Sequence, residues 1–398
     1  MLYGYANASR KQNKYMHHIK KFKLYYLLGI IFFLASFRGD PGAGEALTYK
    51  VPSYIAFVQK ISIYVVISVM IVSIWLDNNK FKFQSYYNDA VYFYVFFIIL
   101  ILSGDKNGDE LFYRLIFSTI TFLYFLKVVS RLELKYVMFF ICVSAFAFSF
   151  VNFLSYFLFP ETIWNGRLFG VTSHPNFTGV AACISSVFSL YFLVNVRWKF
   201  KILYLFMLCI GISVCLFSGS RNSIISFILA FFVYLFIRTK GFAPKVLLIG
   251  GAILFTLLLL NLNFSMSSID YEGRGNTREE TWKIMMDAAL DLPILGNGKS
   301  GSSSNSYLFA IIASGMIGFL FLITSILGYI NRLTSYKIRN NRYFPLFSMV
   351  SASLFFAALF EGFFLDQVSL AVFTYWLLLV VRKDYNIQDE KRFFKLGY

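Results

Sequence analysis

The chain has 398 residues, of which 58% are hydrophobic and only 14% are charged, and its formal net charge is +17. Ordinary soluble domains hold roughly 45–50% apolar and about 25% charged residues, so this composition excludes a soluble globular protein and indicates a polytopic membrane protein. No polar stretch is long enough to bury a core of its own, so residues 1–398 are expected to form a single transmembrane domain. The positive charge does not indicate a nucleic-acid partner, because most Lys and Arg residues lie between apolar runs, as positive-inside anchors do.

A basic segment precedes the first apolar run and resembles the start of a signal peptide, but no small-residue cleavage site follows it. We therefore expect an uncleaved first helix. The cysteines all fall inside apolar runs and lack the spacing of a metal site or a disulfide framework, which predicts small core residues. They are Cys142, Cys183, Cys209 and Cys215.

Apolar runs divide the chain into about twelve candidate spans, since a transmembrane helix needs about 20 mainly apolar residues. The sequence thus predicts an all-α polytopic membrane protein in a lipid bilayer. In chain order the predicted spans are 24–37, 54–76, 90–103, 111–129, 136–159, 177–196, 202–217, 222–237, 246–263, 306–330, 344–360 and 367–381.

The distribution of Lys and Arg predicts cytoplasmic N- and C-termini, because this orientation places most of the 37 basic residues in inner segments. The same alternation places four arginines on the outer face, where the insertion rule disfavours positive charge. These are Arg167, Arg221, Arg274 and Arg278. Their position indicates an anionic ligand at the outer face.

Residues 167–176 precede the sixth predicted span and form the first polar motif. Asn176 can cap the following helix, while Arg167 and His174 can face an anion at the N-terminus of that helix. An ordinary capped entry loop with a surface histidine is the alternative.

A second motif, Ser218-Gly219-Ser220-Arg221-Asn222, is a very short outer turn between two apolar runs. Arginine near hydrocarbon is costly unless it snorkels to the surface or meets an anion. The turn holds Arg221 close to the helix ends, which suits a phosphate contact, with simple snorkelling as the alternative.

The longest polar interruption, residues 264–305, is predicted to be an outer-face loop before the tenth span. Thr277 and Glu280 have the spacing of a capping box and predict an amphipathic helix. Its apolar stripe comprises Trp282, Met285, Met286 and Ala289. We expect this helix to lie along the membrane interface with Trp282 as its lipid anchor. A Pro- and Gly-containing segment, 293–298, ends it.

Two carboxylates, Glu361 and Asp366, flank the short outer turn between the last two spans. They can serve as a base, an acid or ion-pair partners of the outer arginines. A solvated turn is an equally good interpretation.

In this order and topology, the motifs resemble the bacterial O-antigen polymerase and O-antigen ligase superfamily, best over residues 167–318. The resemblance is carried by Arg167, Gly170 and His174-Pro175-Asn176, by Ser218-Gly219-Ser220-Arg221, by Arg278 and Trp282, by the 293–298 segment, by Asn305-Ser306-Tyr307-Leu308, and by Gly315 and Gly318. One position departs from the pattern. Ligases typically carry a histidine directly before the asparagine matching Asn305, and here that residue is Ser304. A serine is not a comparable base at neutral pH, which favours the polymerase.

The resemblance implies a GT-C-like membrane enzyme that transfers glycans between polyprenyl-diphosphate carriers at the outer face of a bacterial inner membrane, with no metal or cofactor. The donor and acceptor are lipid-linked oligosaccharides, and a chain-length regulator protein is a further implied partner. Arginine suits phosphate through its fixed charge and fork geometry. The implied substrate-binding residues are Arg167, Arg221, Arg274, Arg278, Asn305 and Tyr307, and the candidate bases are His174, Glu361 and Asp366.

Two alternatives remain beside the polymerase. An O-antigen ligase would transfer the glycan to a lipid A core. A lipid-linked glycan flippase would explain the spans and cations, but it should carry charges in the middle of its helices, where this chain has few apart from Arg114. Signatures of the cell-wall glycosyltransferases of shape and division are not found.

Overall fold

The computed structural model describes residues 22–37, 51–77, 87–104, 108–172, 174–261, 277–290, 294–296, 298, 304–335 and 341–381, without the side chains of 108–109, 252–261 and 277–279. Almost all of this part of the chain is helical. The helices are α1 (Phe22–Ala35), α2 (Ser53–Leu76), α3 (Asn88–Leu102), α4 (Gly108–Lys127), α5 (Leu134–Leu158), α6 (Pro175–Asn195), α7 (Trp198–Phe217), α8 (Arg221–Arg238), α9 (Phe242–Asn261), α10 (Thr277–Leu290), α11 (Ser306–Thr334), α12 (Phe344–Ala358) and α13 (Leu370–Val380).

Seven of the described helices are long and apolar enough to cross a membrane, namely α2, α4, α5, α6, α7, α8 and α11. Shorter apolar helical stretches in α1, α3, α9, α12 and α13 lie at the other five predicted positions. The prediction of an all-α, multi-pass membrane protein is confirmed, and each predicted span coincides with a helix. The count of twelve spans stays a prediction, because a full crossing takes about 20 residues.

Aromatic side chains form much of the core between α3, α4 and α13. Trp376 lies at its centre, with ring centroids 4.8 Å from Phe93, 6.4 Å from Phe97 and 6.0 Å from Phe125. Every residue of α13 is buried. A helix that is apolar on all sides suits either a protein core or lipid, and the burial of every residue shows that α13 is enclosed by its neighbours.

Small residues allow α6, α7 and α8 to pack closely. A Cβ atom at Gly179 of α6 would collide with Ser218, Ser220 and Ser223, which lie at and after the α7–α8 turn. The Gly211 position of α7 packs in the same way on Ser186 of α6. Such close helix packing through Gly and Ser is typical of membrane proteins. It places the α7–α8 turn directly beside the N-terminus of α6.

The contacts separate two ends of the bundle. At one, the basic end, the Arg238 guanidinium donates to Asn195 at 2.8 Å, Tyr191 donates to the carbonyl of Arg342 at 2.8 Å, and Arg332 pairs with Asp89. The opposite end, the motif end, holds the starts of α6, α8 and α11 and the α12–α13 turn. Successive apolar helices thus run in opposite directions between the two ends, as the predicted spans were assumed to do. Which end faces the cytoplasm stays a prediction.

Candidate functional site

Arg167 lies at the motif end in a short β-hairpin, each strand of which has two residues. Strand β1 (Ile163–Trp164) pairs antiparallel with β2 (Arg167–Leu168), and Trp164 lies opposite Arg167. The connecting Asn165 and Gly166 have φ values of 48° and 68°. Two positive φ angles are typical of the tight hairpin turn that Asn-Gly favours. The hairpin fixes the backbone of the arginine before α6 begins.

Arg167 belongs to a chain of side-chain hydrogen bonds that joins three motifs. Its Nε donates to the carbonyl of Ser218 at 2.9 Å, and its Nη2 donates to Oδ1 of Asn176 at 2.9 Å. The amide of Asn176 in turn donates to Oε1 of Glu361 at 2.7 Å. Two bonds to different elements fix the plane of the guanidinium. Asn176 and Glu361 lie 185 residues apart in sequence, so the fold itself assembles this group.

Glu361 also links the α12–α13 turn to the start of α11. Its backbone carbonyl accepts from the hydroxyl of Ser306, and the hydroxyl oxygen of Ser306 accepts from the amide of Phe364 at 3.3 Å. Glu361 is only 6% exposed, although it carries a carboxylate. Burying a carboxylate is costly unless hydrogen bonds or opposite charges compensate. The Asn176 and Arg167 side chains provide such an environment.

The α7–α8 turn closes this group from the other side. Gly219, with a φ of 59°, lies against the side chain of Arg167, where an added Cβ would be 3.1 Å from Nε. Ser220 caps α8 by accepting from the amide of Ser223, and Arg221 is the first residue of that helix. Asn222 donates to the carbonyl of Ala357, which ties the start of α8 to the end of α12.

The N-termini of α6, α8 and α11 therefore lie around the group formed by Arg167, Asn176 and Glu361. Each helix N-terminus carries a partial positive charge and outward-pointing amide groups, so it favours an anion. Arg167 and Arg221 add two full positive charges beside them. Glu361 and Asp366, both buried, offset part of that charge. Electrostatically, the site suits a ligand with more than one negative charge, together with a carboxylate that can accept a proton.

The start of α6 differs from the prediction. Asn176 was expected to cap the helix, but α6 begins at Pro175, with His174 in the capping position and no side-chain cap. Asn176 bridges Arg167 and Glu361 instead, because its amide can donate and accept at once. The ring of His174 lies edge-on to Phe177, with centroids 5.3 Å apart. His174 is thus at the site, one residue outside the helix.

Three further predicted residues lie at the motif end in clear structural roles. Asn305 caps α11, its Oδ1 accepting from the amides of Tyr307 at 2.9 Å and Leu308 at 3.1 Å. The Tyr307 hydroxyl donates to the carbonyl of Phe355, inside the bundle. Asp366 accepts from the amide of Val368 within the α12–α13 turn. These contacts fix the backbone around the site, namely the start of α11, the end of α12 and the α12–α13 turn.

Helix α10 packs over the site. Trp282 lies on Phe360, with ring centroids 5.7 Å apart, and Met285 and Ala289 are buried. Ser304, just before α11, donates to Sδ of Met285 at 3.5 Å. The predicted stripe is thus confirmed at these positions, whereas Met286 is 55% exposed. Trp282 is not the lipid anchor that was expected, since its ring packs on the residue before Glu361 and its Nε1 is buried.

Of the two arginines predicted in the 264–305 loop, the structure describes only the backbone of one. Arg274 lies outside the described residues. Position 278 lies in the first turn of α10, and the expected capping box at Thr277 falls among side chains that are not described. Residues four apart share one face of a helix, so position 278 is one turn from Trp282 on the face of α10 that meets the protein.

Two features of the site were not predicted. The hairpin had a signal in the sequence, since Asn-Gly is the strongest short hairpin marker. The bridging role of Asn176 had none, because it depends on a carboxylate from the far end of the chain.

No protein-family model matches the chain, and no curated protein sequence matches it. Its function is therefore inferred from the chemistry of the motif end.

Proposed function

We propose that the protein is a glycosyltransferase that polymerises polyprenyl-diphosphate-linked oligosaccharide repeat units at the outer face of the bacterial inner membrane. The observation that carries this proposal is the hydrogen-bonded group of Arg167, Asn176 and Glu361 among three helix N-termini. This group combines positive charge that suits a diphosphate with a carboxylate that suits a hydroxyl proton. The resemblance of residues 167–318 to O-antigen polymerases gives the same substrate class.

The diphosphate of the donor is expected to bind where Arg167, Arg221 and the amides at the starts of α6 and α8 converge. Arg278, in the first turn of α10, is the third arginine proposed to bind the diphosphate, with Arg274 as a weaker candidate. Preorganised positive charge stabilises the negative charge that develops on the leaving diphosphate. Arginine forms bidentate bonds to phosphate and stays charged at any physiological pH.

In the proposed reaction, a sugar hydroxyl of the acceptor attacks the anomeric carbon of the donor. A new glycosidic C–O bond forms, the bond to the diphosphate oxygen breaks, and the diphosphate leaves with the electron pair. The proton of the attacking hydroxyl passes to a carboxylate. Holding both substrates in line supplies much of the rate, since positioning can contribute about 7–11 kcal/mol in favourable cases.

Among the three candidate bases, Glu361 fits best. Its carboxylate is bonded to Asn176, which is bonded to Arg167, so the base and the diphosphate site are fixed relative to each other. Asp366 accepts from the backbone of its own turn, and the ring of His174 packs on Phe177. General base catalysis contributes typically 10²–10⁴-fold to a rate.

The test is reconstitution of the purified protein with a polyprenyl-diphosphate repeat unit. Wild-type protein should yield a ladder of longer lipid-linked glycans. Glu361→Gln keeps an acceptor for Asn176 but removes the proton-accepting charge, and it should slow the ladder about 10²–10⁴-fold. Asp366→Asn is the matched control and should retain most activity. Failure of the wild-type protein to extend the cognate donor would refute the proposal, and equal activity of both variants would remove Glu361 from the role of base.

The ligase is the second candidate function, and the same experiment separates it by adding a lipid A core acceptor. Ser304 disfavours it, because its hydroxyl bonds to Met285 and a serine is a poor base at neutral pH. A flippase is disfavoured by charge placement. In the described spanning helices, Lys60 and Arg114 are the charged residues that lie more than about one turn from a helix end.

A further inference from the structure

Helix α11 is interrupted in its middle at Gly315. This residue has a φ of 70° and a ψ of −178°, a conformation essentially restricted to glycine. Gly315 lies nine residues after the helix start at Ser306, roughly 14 Å along the axis at 1.5 Å per residue. At such depth in a membrane protein, peptide groups freed by a break need partners within the protein.

The segment after α10 provides those partners. The amide of Gly298 donates to the carbonyl of Ala313 at 3.0 Å, and the amide of Ile317 donates to the carbonyl of Ile294 at 3.5 Å. These two bonds lie on either side of the break. In an unbroken helix the amide of Ile317 would donate to the carbonyl of Ala313. The backbone of Gly298 and Ile294 supplies the partners that these two groups lack at the break.

Glycines make this backbone insertion possible. A Cβ at Gly315 would collide with the carbonyl of Ile294, and one at Gly296 would collide with the backbone of Ala313. Gly298, with a φ of 78°, sits against Gly104 at the end of α3, where an added Cβ would also collide. Backbone meets backbone at all three places, so no flexible side chain can move aside.

We propose that Gly296, Gly298 and Gly315 form a clasp that positions α10 over the motif end. The clasp, defined by these glycines with Ile294 and Leu295, begins four residues after the end of α10 in the sequence and contacts α11, the helix that begins at the site. Fixing one end of α10 fixes position 278 relative to Arg167. This role in catalysis rests on the proposed function, whereas the anchoring of α10 does not.

The decisive measurement is the accessibility of the buried face of α10 to a membrane-impermeant maleimide, in full-length protein in lipid nanodiscs. Cys209, which is exposed, is first replaced by serine, and Ala289→Cys places a thiol on the buried face. In this background Ala289→Cys should label slowly. Adding Gly315→Ala or Gly296→Ala should raise its labelling rate about tenfold or more, since each strains the clasp and favours local opening.

Three matched controls accompany this test. Ala288→Cys, on the exposed face of α10, should label rapidly with or without the glycine change. Gly250→Ala should leave the labelling of Ala289→Cys unchanged, because an added Cβ at that α9 position meets nothing within 4 Å. The native cysteines Cys142, Cys183 and Cys215 are buried and should stay unlabelled, which reports an intact bundle.

The outcomes are distinguishable. Unchanged labelling of Ala289→Cys in both glycine variants would overturn the clasp, as would exposure of the native cysteines, which would show a role in the whole bundle. In the polymerisation assay, kcat/KM for the donor should fall about 10²-fold, the typical effect of a misplaced substrate contact. Raised labelling together with an inactive wild-type protein would support the anchoring of α10 and overturn the proposed reaction alone.

Discussion

At the scale of single residues, the guanidinium geometry of Arg167 gives a direct prediction. Its two bonds leave from different nitrogens, to Ser218 and Asn176, which a lysine ammonium cannot reproduce. Arg167→Lys should therefore lose polymerisation nearly as fully as Arg167→Ala, by at least about 10²-fold in kcat/KM. The measurement is the glycan ladder from purified protein. Arg238→Lys, exposed at the basic end, is the control, and a substantial rescue by Arg167→Lys would contradict a geometric role.

The residues of this site could be named from the sequence in part. Arg167 was predicted because it lies just before a helix N-terminus at the face where the insertion rule disfavours cations, and Glu361 because it flanks the turn between the last two spans. Asn176 was assigned to a helix cap, which is the common role of an asparagine before such a run. Its true partners lie on other elements, so local reasoning about its neighbours led to the wrong contact.

At the scale of elements, a buried ion pair holds α3, α11 and α13 together at the basic end. Arg332 pairs with Asp89 at 3.3 Å and donates to the carbonyls of Leu379 at 2.6 Å and Leu378 at 3.0 Å. These carbonyls belong to the last turn of α13, which has no later turn of helix to satisfy them. Arg332→Met should lower stability by about 3–5 kcal/mol, because it leaves two carbonyls and the carboxylate of Asp89, whose side chain is only 13% exposed, without the cation.

Thermal unfolding in detergent measures this effect. The double variant Arg332→Met with Asp89→Asn should recover part of the loss, since it removes the uncompensated charge. The exposed pair of Arg114 and Glu110 is the control, and Arg114→Met should change stability by less than about 1 kcal/mol. Equal losses in the two single arginine variants would contradict a specific role of the buried pair.

Elements were predicted well where one physical signal dominates. Long apolar runs specify helices in a membrane, and the helix starts lie within a few residues of the expected positions. The break at Gly315 was not predicted, because a lone glycine inside an apolar helix is ordinarily tolerated. Recognising it required the second glycine segment, Gly296 and Gly298, to be placed beside it in space.

At the scale of the whole molecule, the two ends of the bundle differ in the groups that surround their basic side chains. The basic end pairs its cations with carbonyls and carboxylates in structural contacts, as Arg332 does. The motif end gathers arginines around helix N-termini, which are themselves positive. The buried Glu361 and Asp366 offset part of this charge. Amides and arginines at helix N-termini are groups that bind phosphate, which is the ligand class that the proposed function requires at this end.

The orientation of the bundle is the last prediction. If the motif end faces outward, a thiol there should react in intact cells with a membrane-impermeant maleimide, and a thiol at the basic end should not. Glu161→Cys, in the exposed turn before the hairpin, and Lys240→Cys, in the exposed α8–α9 turn, report the two ends in a Cys209→Ser background. The excess of Lys and Arg in the inner segments predicts labelling at 161 alone.

Permeabilised cells supply the control, because both thiols should then react. The reverse pattern, with 240 labelled and 161 protected in intact cells, would place the arginine cluster in the cytoplasm. A polyprenyl-diphosphate glycan that has already been moved to the outer leaflet could not reach it there. Orientation thus tests the proposed function independently of any activity assay, since the arginines of the motif end and the substrate must lie on the same side of the membrane.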